Sequence, residues 1–397
     1  MSDIEEIKGL IRLHIATQAV NQQEFLAVLD EVRDGNGAGP HSWVGEWSRL
    51  GESLVDRGKL IEAVQAFNFA RFPFVDGPER QTALERCIEV FAAFRELGCP
   101  DARRVEIECR GVNVPIYVRG VPATGVPLVV VMGGIVSLKE QWYRTLLDGP
   151  KLGFAVAVAD FPGVGENPLL LEHSSCAYLG SILDYFERQT PELAAIVVAI
   201  SFSGQLALRQ AARDRRIRGV ITAGAPLRHF FTDAAWFRDV PETTKRTLVR
   251  VCGVTREALF EHLGELAVGE EELERIDVPV HNIVSLRDDI VPAADALYLE
   301  RHVRQLSVLR LDDIHGAPHF VGAVRKYIAL GLVRIGFPKR RWLGRVLAAL
   351  VRVELWRAEL KLLAKRMWAR EARSAELAAR ELAVASPRDV VEGRGRP

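Results

Sequence analysis

Cysteine is sparse in this chain and never paired in sequence. Cys87, Cys99, Cys109, Cys176 and Cys252 are odd in number, widely spaced and without a C-x-x-C. That pattern excludes a disulfide framework and a cysteine-based zinc site, and suits reduced thiols in a cytoplasm. Long apolar runs are missing too, since none reaches the roughly 18 to 20 residues that span a bilayer. The opening MSDIEEIKGL is acidic and lacks the basic and apolar parts of a secretory leader, so a cytoplasmic location is expected. Neither sign of charge dominates: 52 Lys plus Arg balance 52 Asp plus Glu, leaving no global field to draw nucleic acid. G-x-G-x-x-G and G-K-[ST] are both absent, and the lone Gly163-Val164-Gly165 is too little to cradle a phosphate, so no cofactor is expected. His315 and His319 are the only closely spaced histidines, and no metal site is expected.

What remains is the composition of an ordinary globular protein of two or three domains, 48% apolar and 26% charged over 397 residues. Residues 1–102 read as helices. Ile4, Ile7 and Ile11 share a face, as do Phe25, Val28, Leu29 and Val32, and Trp43, Trp47, Leu50 and Leu54 recur at spacings of four, three and four. From Arg103 the pattern changes to strands alternating with helices, which predicts an α/β domain over 103–337. Val105 to Val118 alternates as an edge hairpin, whereas Pro127–Met132, Phe154–Ala159 and Ala195–Ile200 are unbroken apolar runs, as in parallel strands covered on both faces.

The stretch Ala195–Arg213 organises the domain. A buried strand stops at Ser201 and restarts as an amphipathic helix, the arrangement of a nucleophile elbow, in which a tight turn lifts the serine hydroxyl clear of the sheet. The usual G-x-S-x-G is altered: Ala199 and Ser203 stand at the glycine positions, with Gly204 following. A serine nucleophile needs an imidazole to take its proton and a carboxylate to hold the imidazole. Downstream, a strand over 278–285 leads into Asp288-Asp289-Ile290-Val291-Pro292, where Asp288 fits the acid position better than Asp289. A strand over 307–311 leads into His315, the expected base, with His319 as the alternate. The oxyanion donors expected are the N–H of Phe202 and those of Gly134 and Ile135 at the end of the 127–132 strand.

Residues 226–276 read as a helical lid carrying Phe230, Phe231, Trp236, Phe237 and Phe260, which either meet an apolar substrate or form the lid's own core. Residues 338–385 form a basic amphipathic helix. Trp342, Val346, Ala349, Val353, Trp356, Leu360, Leu363 and Met367 make a heptad seam, with Arg345, Arg352, Lys361, Lys365 and Arg366 assigned to the opposite face. The seam is expected to pack on another helix, its own or a partner's, with peripheral membrane contact as the alternative. Residues 386–397 read as disordered.

Gly133-Gly134-Ile135-Val136-Ser137-Leu138-Lys139-Glu140 resembles the G-G-x-D-S-x-K-E of the FrsA-like α/β-hydrolases, the group that includes 2,6-dihydroxypseudooxynicotine hydrolase and fungal heptaketide-shortening pigment hydrolases. Asp160-Phe161-Pro162-Gly163-Val164-Gly165-Glu166 resembles their D-G-P-G-x-G-E, and Gly224-Ala225-Pro226 their G-A-P. The likeness covers residues 1 to about 335. It implies an α/β-hydrolase fold, a helical N-terminal domain that walls the pocket and makes a homodimer, and a triad on Ser201, Asp288 and His315. It also implies hydrolysis of an ester or a ketone-adjacent carbon–carbon bond in a small molecule, polyketide-like in character. Val136 stands where the family has Asp. Acyl transfer or cyclisation from the same acyl-serine, and a degenerate hydrolase-like scaffold, are the alternative functions.

Overall fold

The computed structural model describes residues 3–385 apart from Ala19 and Asn36, with side chains described from residue 4 to residue 364. The tail at 386–397 and the side chain of Met367 lie outside the described residues.

Five helices come first: α1 (Asp3–Thr17), α2 (Gln22–Glu31), α3 (Trp43–Asp56), α4 (Leu60–Arg71) and α5 (Pro78–Gly98). Their apolar faces meet in an aromatic centre where Phe25, Trp43, Trp47 and Phe69 are all essentially buried. The Trp47 and Phe69 rings meet edge to face at 5.1 Å, the geometry favoured by ring quadrupoles. Side chains begin two of these helices: Asn21 accepts from Glu24 N–H and Ser42 from Gly45 N–H.

An eight-stranded sheet follows. Its strands are β1 (Arg103–Cys109), β2 (Val112–Arg119), β3 (Leu128–Met132), β4 (Ala155–Ala159), β5 (Ala195–Ile200), β6 (Ile217–Ala223), β7 (Val280–Ser285) and β8 (Leu306–Leu311). They lie in the order β1-β2-β4-β3-β5-β6-β7-β8, antiparallel at β1–β2–β4 and parallel from there on. The apolar runs sit in the middle, where helices cover both faces: every residue of β3 and β4 is buried. The intervening helices are α6 (Tyr143–Asp148), α7 (Ala177–Glu187) and α8 (Ser203–Ala211). Five short helices fill the insertion between β6 and β7: α9 (His229–Thr232), α10 (Ala234–Asp239), α11 (Glu242–Cys252), α12 (Leu259–Glu265) and α13 (Glu270–Glu274). The chain ends with α14 (Ala293–His302), α15 (Val321–Gly336) and the long α16 (Arg341–Ala385).

Helix α16 departs from expectation. The face that packs on α15 carries Leu347, Val351, Leu355, Ala358 and Leu362. The heptad seam points away, with Trp342, Trp356 and Leu363 more than half exposed. The helix therefore has two apolar stripes, and among the described residues the seam has no helix of its own chain against it. At 100° per residue, Arg345, Arg352 and Lys361 flank the seam rather than oppose it.

Candidate active site

Strand β5 runs through the centre of the sheet and leads directly into Ser201, which takes a left-handed φ of 60°. A non-glycine residue rarely adopts that conformation, and it is held here because Ser201 N–H donates to Ala223 O while Gly204 N–H closes the turn onto Ser201 O. The altered elbow has a structural reason. Ser203 is fully buried, and its hydroxyl donates to Met132 O at the end of β3 (2.9 Å) and to Ile200 O (3.0 Å). A serine there thus ties the elbow to the neighbouring strand. The glycine demand moves one residue on: a Cβ on Gly204 would lie 2.2 Å from Thr222 Oγ1, so only glycine lets α8 sit this close to β6.

The structure brings His315 to the serine. Ser201 Oγ and His315 Nε2 are 2.9 Å apart, and His315 Nδ1 lies 2.8 Å from Asp288 Oδ2 and 3.0 Å from Oδ1. Asp288 is fixed in turn, because its Oδ1 accepts from the N–H groups of Ile290 and Val291 (2.9 and 2.8 Å). The Ile-Val-Pro turn behind the acid therefore aims it. Asp289 faces a different atom, accepting from the backbone N–H of His315 (3.4 Å). His319 is occupied elsewhere, with its ring Nδ1 2.8 Å from the buried Asp313 and its backbone N–H donating to the same carboxylate. Burial works against the His315 imidazolium, but Asp288, with Asp289 behind it, outweighs that effect and leaves the pKa above its ordinary value.

Gly134 faces the elbow closely enough that an added Cβ would come within 2.9 Å of Ser201 Cβ. Among the described residues, neither Ile135 N–H nor Phe202 N–H has a protein acceptor. Two free donors beside a serine hydroxyl can receive a developing oxyanion.

The loop carrying Ile135 is braced from below by a buried ionic group that the sequence motifs contained without revealing its role. Lys139, Glu140 and Asp160 are fully buried. Lys139 Nζ donates to Asp160 (2.8 Å) and Glu166 (2.7 Å) and lies 3.0 Å from Glu140, while Lys139 N–H donates to the other Asp160 oxygen (2.7 Å). Burial opposes the ammonium, but Asp160 and Glu140 more than offset it, so Lys139 stays charged. From the N-terminal helices, buried Arg71 donates to Val136 O (2.5 Å) and to Asn68 and Pro73 O. Val136, which replaces the family's aspartate, contributes here through its carbonyl.

A second brace holds the start of the β6–β7 insertion. Asp295, on α14 and fully buried, accepts from four successive N–H groups, Leu227 to Phe230. Burial raises its pKa, and those four donors work the other way. The anchored Phe230 packs edge-on against Phe202 at 5.2 Å. Phe230 and Phe231 are completely buried, so they form the core of the insertion and do not line an open pocket. Nothing in the sequence singles out Arg71 or Asp295. Each is an ordinary helical residue whose bracing contact, Arg71 to Val136 or Asp295 to Leu227–Phe230, spans more than 60 positions.

A cavity of about 100 Å³ opens beside Ile135, walled by Arg71, Phe74 and Leu84 from the N-terminal helices, Val164, and Arg250 with Val251 from α11. Helix α1 also reaches this side of the molecule: Glu6 accepts from Thr243 N–H at the start of α11, and Thr17 O accepts from Arg325 on α15.

No family model matches the chain. The 2,6-dihydropseudooxynicotine hydrolase of Paenarthrobacter nicotinovorans is 27% identical over 257 residues, a stretch covering 61% of this chain and 66% of that enzyme's length. The solved structure of AbyA5 is 36% identical, covers 90% of this chain and 99% of its own, and superposes with a TM-score of 0.82. The chain belongs to the FrsA-like group of α/β-hydrolases. The crystal structure of 2,6-dihydroxy-pseudo-oxynicotine hydrolase, 22% identical with a TM-score of 0.63 over 85% of this hydrolase and 95% of its own chain, shares the fold. Within that fold the hydrolase keeps a serine, a histidine and an aspartate in hydrogen-bond contact while altering the residues around the serine. Among its described residues, no helix is long and apolar enough to cross a membrane, and no cluster of His, Cys, Asp and Glu could hold a metal ion.

Proposed function

We propose that the chain is a serine hydrolase in which Ser201 is the nucleophile, His315 the base and Asp288 the group that orients the imidazole. The unbroken Ser201–His315–Asp288 contact, 2.9 and 2.8 Å, carries this reading. His315 Nε2 takes the hydroxyl proton as Oγ attacks a carbonyl carbon, and the imidazolium is steadied by Asp288. The carbonyl oxygen gains charge between Phe202 N–H and Ile135 N–H, with Gly134 admitting it. Loss of such a donor typically lowers the rate ~10²- to 10³-fold. His315 then returns the proton to the leaving group, an alkoxide from an ester or an enolate carbon from a ketone-adjacent bond, and water releases the acyl group by the reverse route.

The substrate is a small, largely apolar or aromatic, polyketide-like molecule. The mixed walls of the cavity beside Ile135 support this, with apolar Phe74, Leu84 and Val251 for a carbon skeleton and arginines for its oxygens. In this reading, residues 1–102 form a cap, 226–276 a lid, and the protein works as a cytoplasmic homodimer. The intact hydrogen-bonded chain through His315 weighs against a degenerate scaffold.

A fluorophosphonate probe tests the proposal, with a stoichiometric mass adduct on Ser201 expected in the wild type and none in Ser201→Ala. Well-folded protein that stays unlabelled overturns it. The raised pKa of His315 gives a second check. The base must be neutral to accept a proton, so activity falls as pH drops through its pKa, and the acid limb of kcat/KM should have its midpoint above the ordinary histidine value of 6.5. A midpoint below that value contradicts the Asp288 pairing.

A further inference from the structure

The second apolar stripe of α16 lies outside everything the proposed reaction uses. Trp342, Val346, Leu350, Val353, Trp356, Leu360 and Leu363 are all at least 40% exposed, and they are half of the large exposed apolar side chains among the described residues. Over 342–363 the stripe is roughly 32 Å long at 1.5 Å per residue. A patch of that extent marks an interaction surface.

Charge decides what covers it. The chain as a whole is neutral, yet residues 338–364 hold seven Lys and Arg against two Glu. At 100° per residue, Arg341, Arg345 and Arg352 border one edge of the stripe and Arg357 and Lys361 the other. Of the two acids, Glu354 is already engaged by Lys326 at 2.9 Å. A second copy docked in parallel would set one cationic edge against the other, and an antiparallel copy would set like edges together, with Glu359 as the only remaining acid among the described side chains of α16. Like charges across such a seam are destabilising. An anionic lipid surface instead accepts the tryptophans and aliphatic side chains at the headgroup boundary and neutralises both edges at once.

We infer that the outer face of α16 is an amphipathic membrane-docking surface, selective for anionic lipid. The opposite face stays on α15, and through Val351 and Leu355 it shares a core with Ala317 and Phe320, just after His315. Docking therefore tethers the protein by the helix that packs behind the histidine loop. The inference does not depend on the proposed reaction, and its test involves no turnover.

The full-length protein is sedimented with vesicles of pure phosphatidylcholine and with vesicles containing phosphatidylserine. Binding is expected only to the second kind and is weakened by salt. Replacing Arg345, Arg352 and Arg357 together by Gln is expected to lower the partition constant on the order of a hundredfold, and Trp356→Glu, at an exposed site, to abolish binding with the fold intact by circular dichroism. Equal binding to both vesicle types overturns the electrostatic argument. Absence of binding overturns the proposal outright. If sedimentation equilibrium then shows a dimer that Trp356→Glu disperses, a second copy is the occupant.

Discussion

Replacing His315 with alanine is expected to lower turnover of an activated aryl ester by about 10⁴- to 10⁶-fold, while His319→Ala stays within about tenfold of the wild type. The two histidines are four residues apart, each has an aspartate on its Nδ1, and they are chemically alike. Position separates them: His315 Nε2 is within hydrogen-bond distance of Ser201, whereas His319 is turned onto Asp313 by both its ring and its own backbone N–H. Without His315, no group among the described residues in contact with the Ser201 hydroxyl can take its proton, and the alcohol reverts to a poor nucleophile. Burst kinetics with a chromogenic ester on both variants would measure the difference. A His319→Ala variant as damaged as His315→Ala would move the base to the other dyad.

The second large effect concerns stability. Lys139→Met should destabilise the fold by about 3 to 5 kcal/mol, read from urea unfolding, because it leaves buried Asp160 and Glu140 facing each other and Glu166 without their shared cation. Burial already holds the Glu140 carboxyl above its usual range with the lysine present, and removing the ammonium pushes Glu140 further that way. Groups whose folded pKa lies above the unfolded value favour the folded state below the unfolded pKa, and that contribution is lost as pH rises through the folded pKa. The Met variant should therefore recover stability as pH falls into the carboxylate range. A variant as stable as the wild type at neutral pH would mean the cluster is not what braces the Gly134–Ile135 loop.

Much of this architecture is legible in the amino-acid order, for identifiable reasons. Strands β3, β4 and β5 are unbroken apolar runs because both faces are covered, and β1 alternates because it is the edge strand, whereas β2, paired on both sides, is buried from Val114 to Val118. The order serine, aspartate, histidine could be read because each follows a strand end, where the fold leaves loops free to carry chemistry. The elbow was harder to read. Its motif is defined by two glycines, and this chain meets the same close approach with a fully buried Ala199, a Ser203 whose hydroxyl bonds the next strand, and a glycine one position late. Helix α16 shows a different limit. Periodicity identified a seam but could not say which of two apolar stripes faces inward, since Leu347, Val351, Leu355 and Leu362 are as apolar as Trp342 and Val346. Arg71 and Asp295 were out of reach altogether, because a brace is defined by its distant partner and leaves no local trace.

Helix α1 is synthesised before every other described element, yet its capping contact with Thr243 and its tie to Arg325 span 237 and 308 residues. Until those partners have been synthesised, Glu6 has no helix to cap and the Thr17 carbonyl no guanidinium to meet. Ordering by sequence distance puts these among the last contacts to form. Packing of α1 on α2 needs only nearby residues, so what comes late is the closure of α1 onto α11 and α15, which waits until most of the sheet has been made.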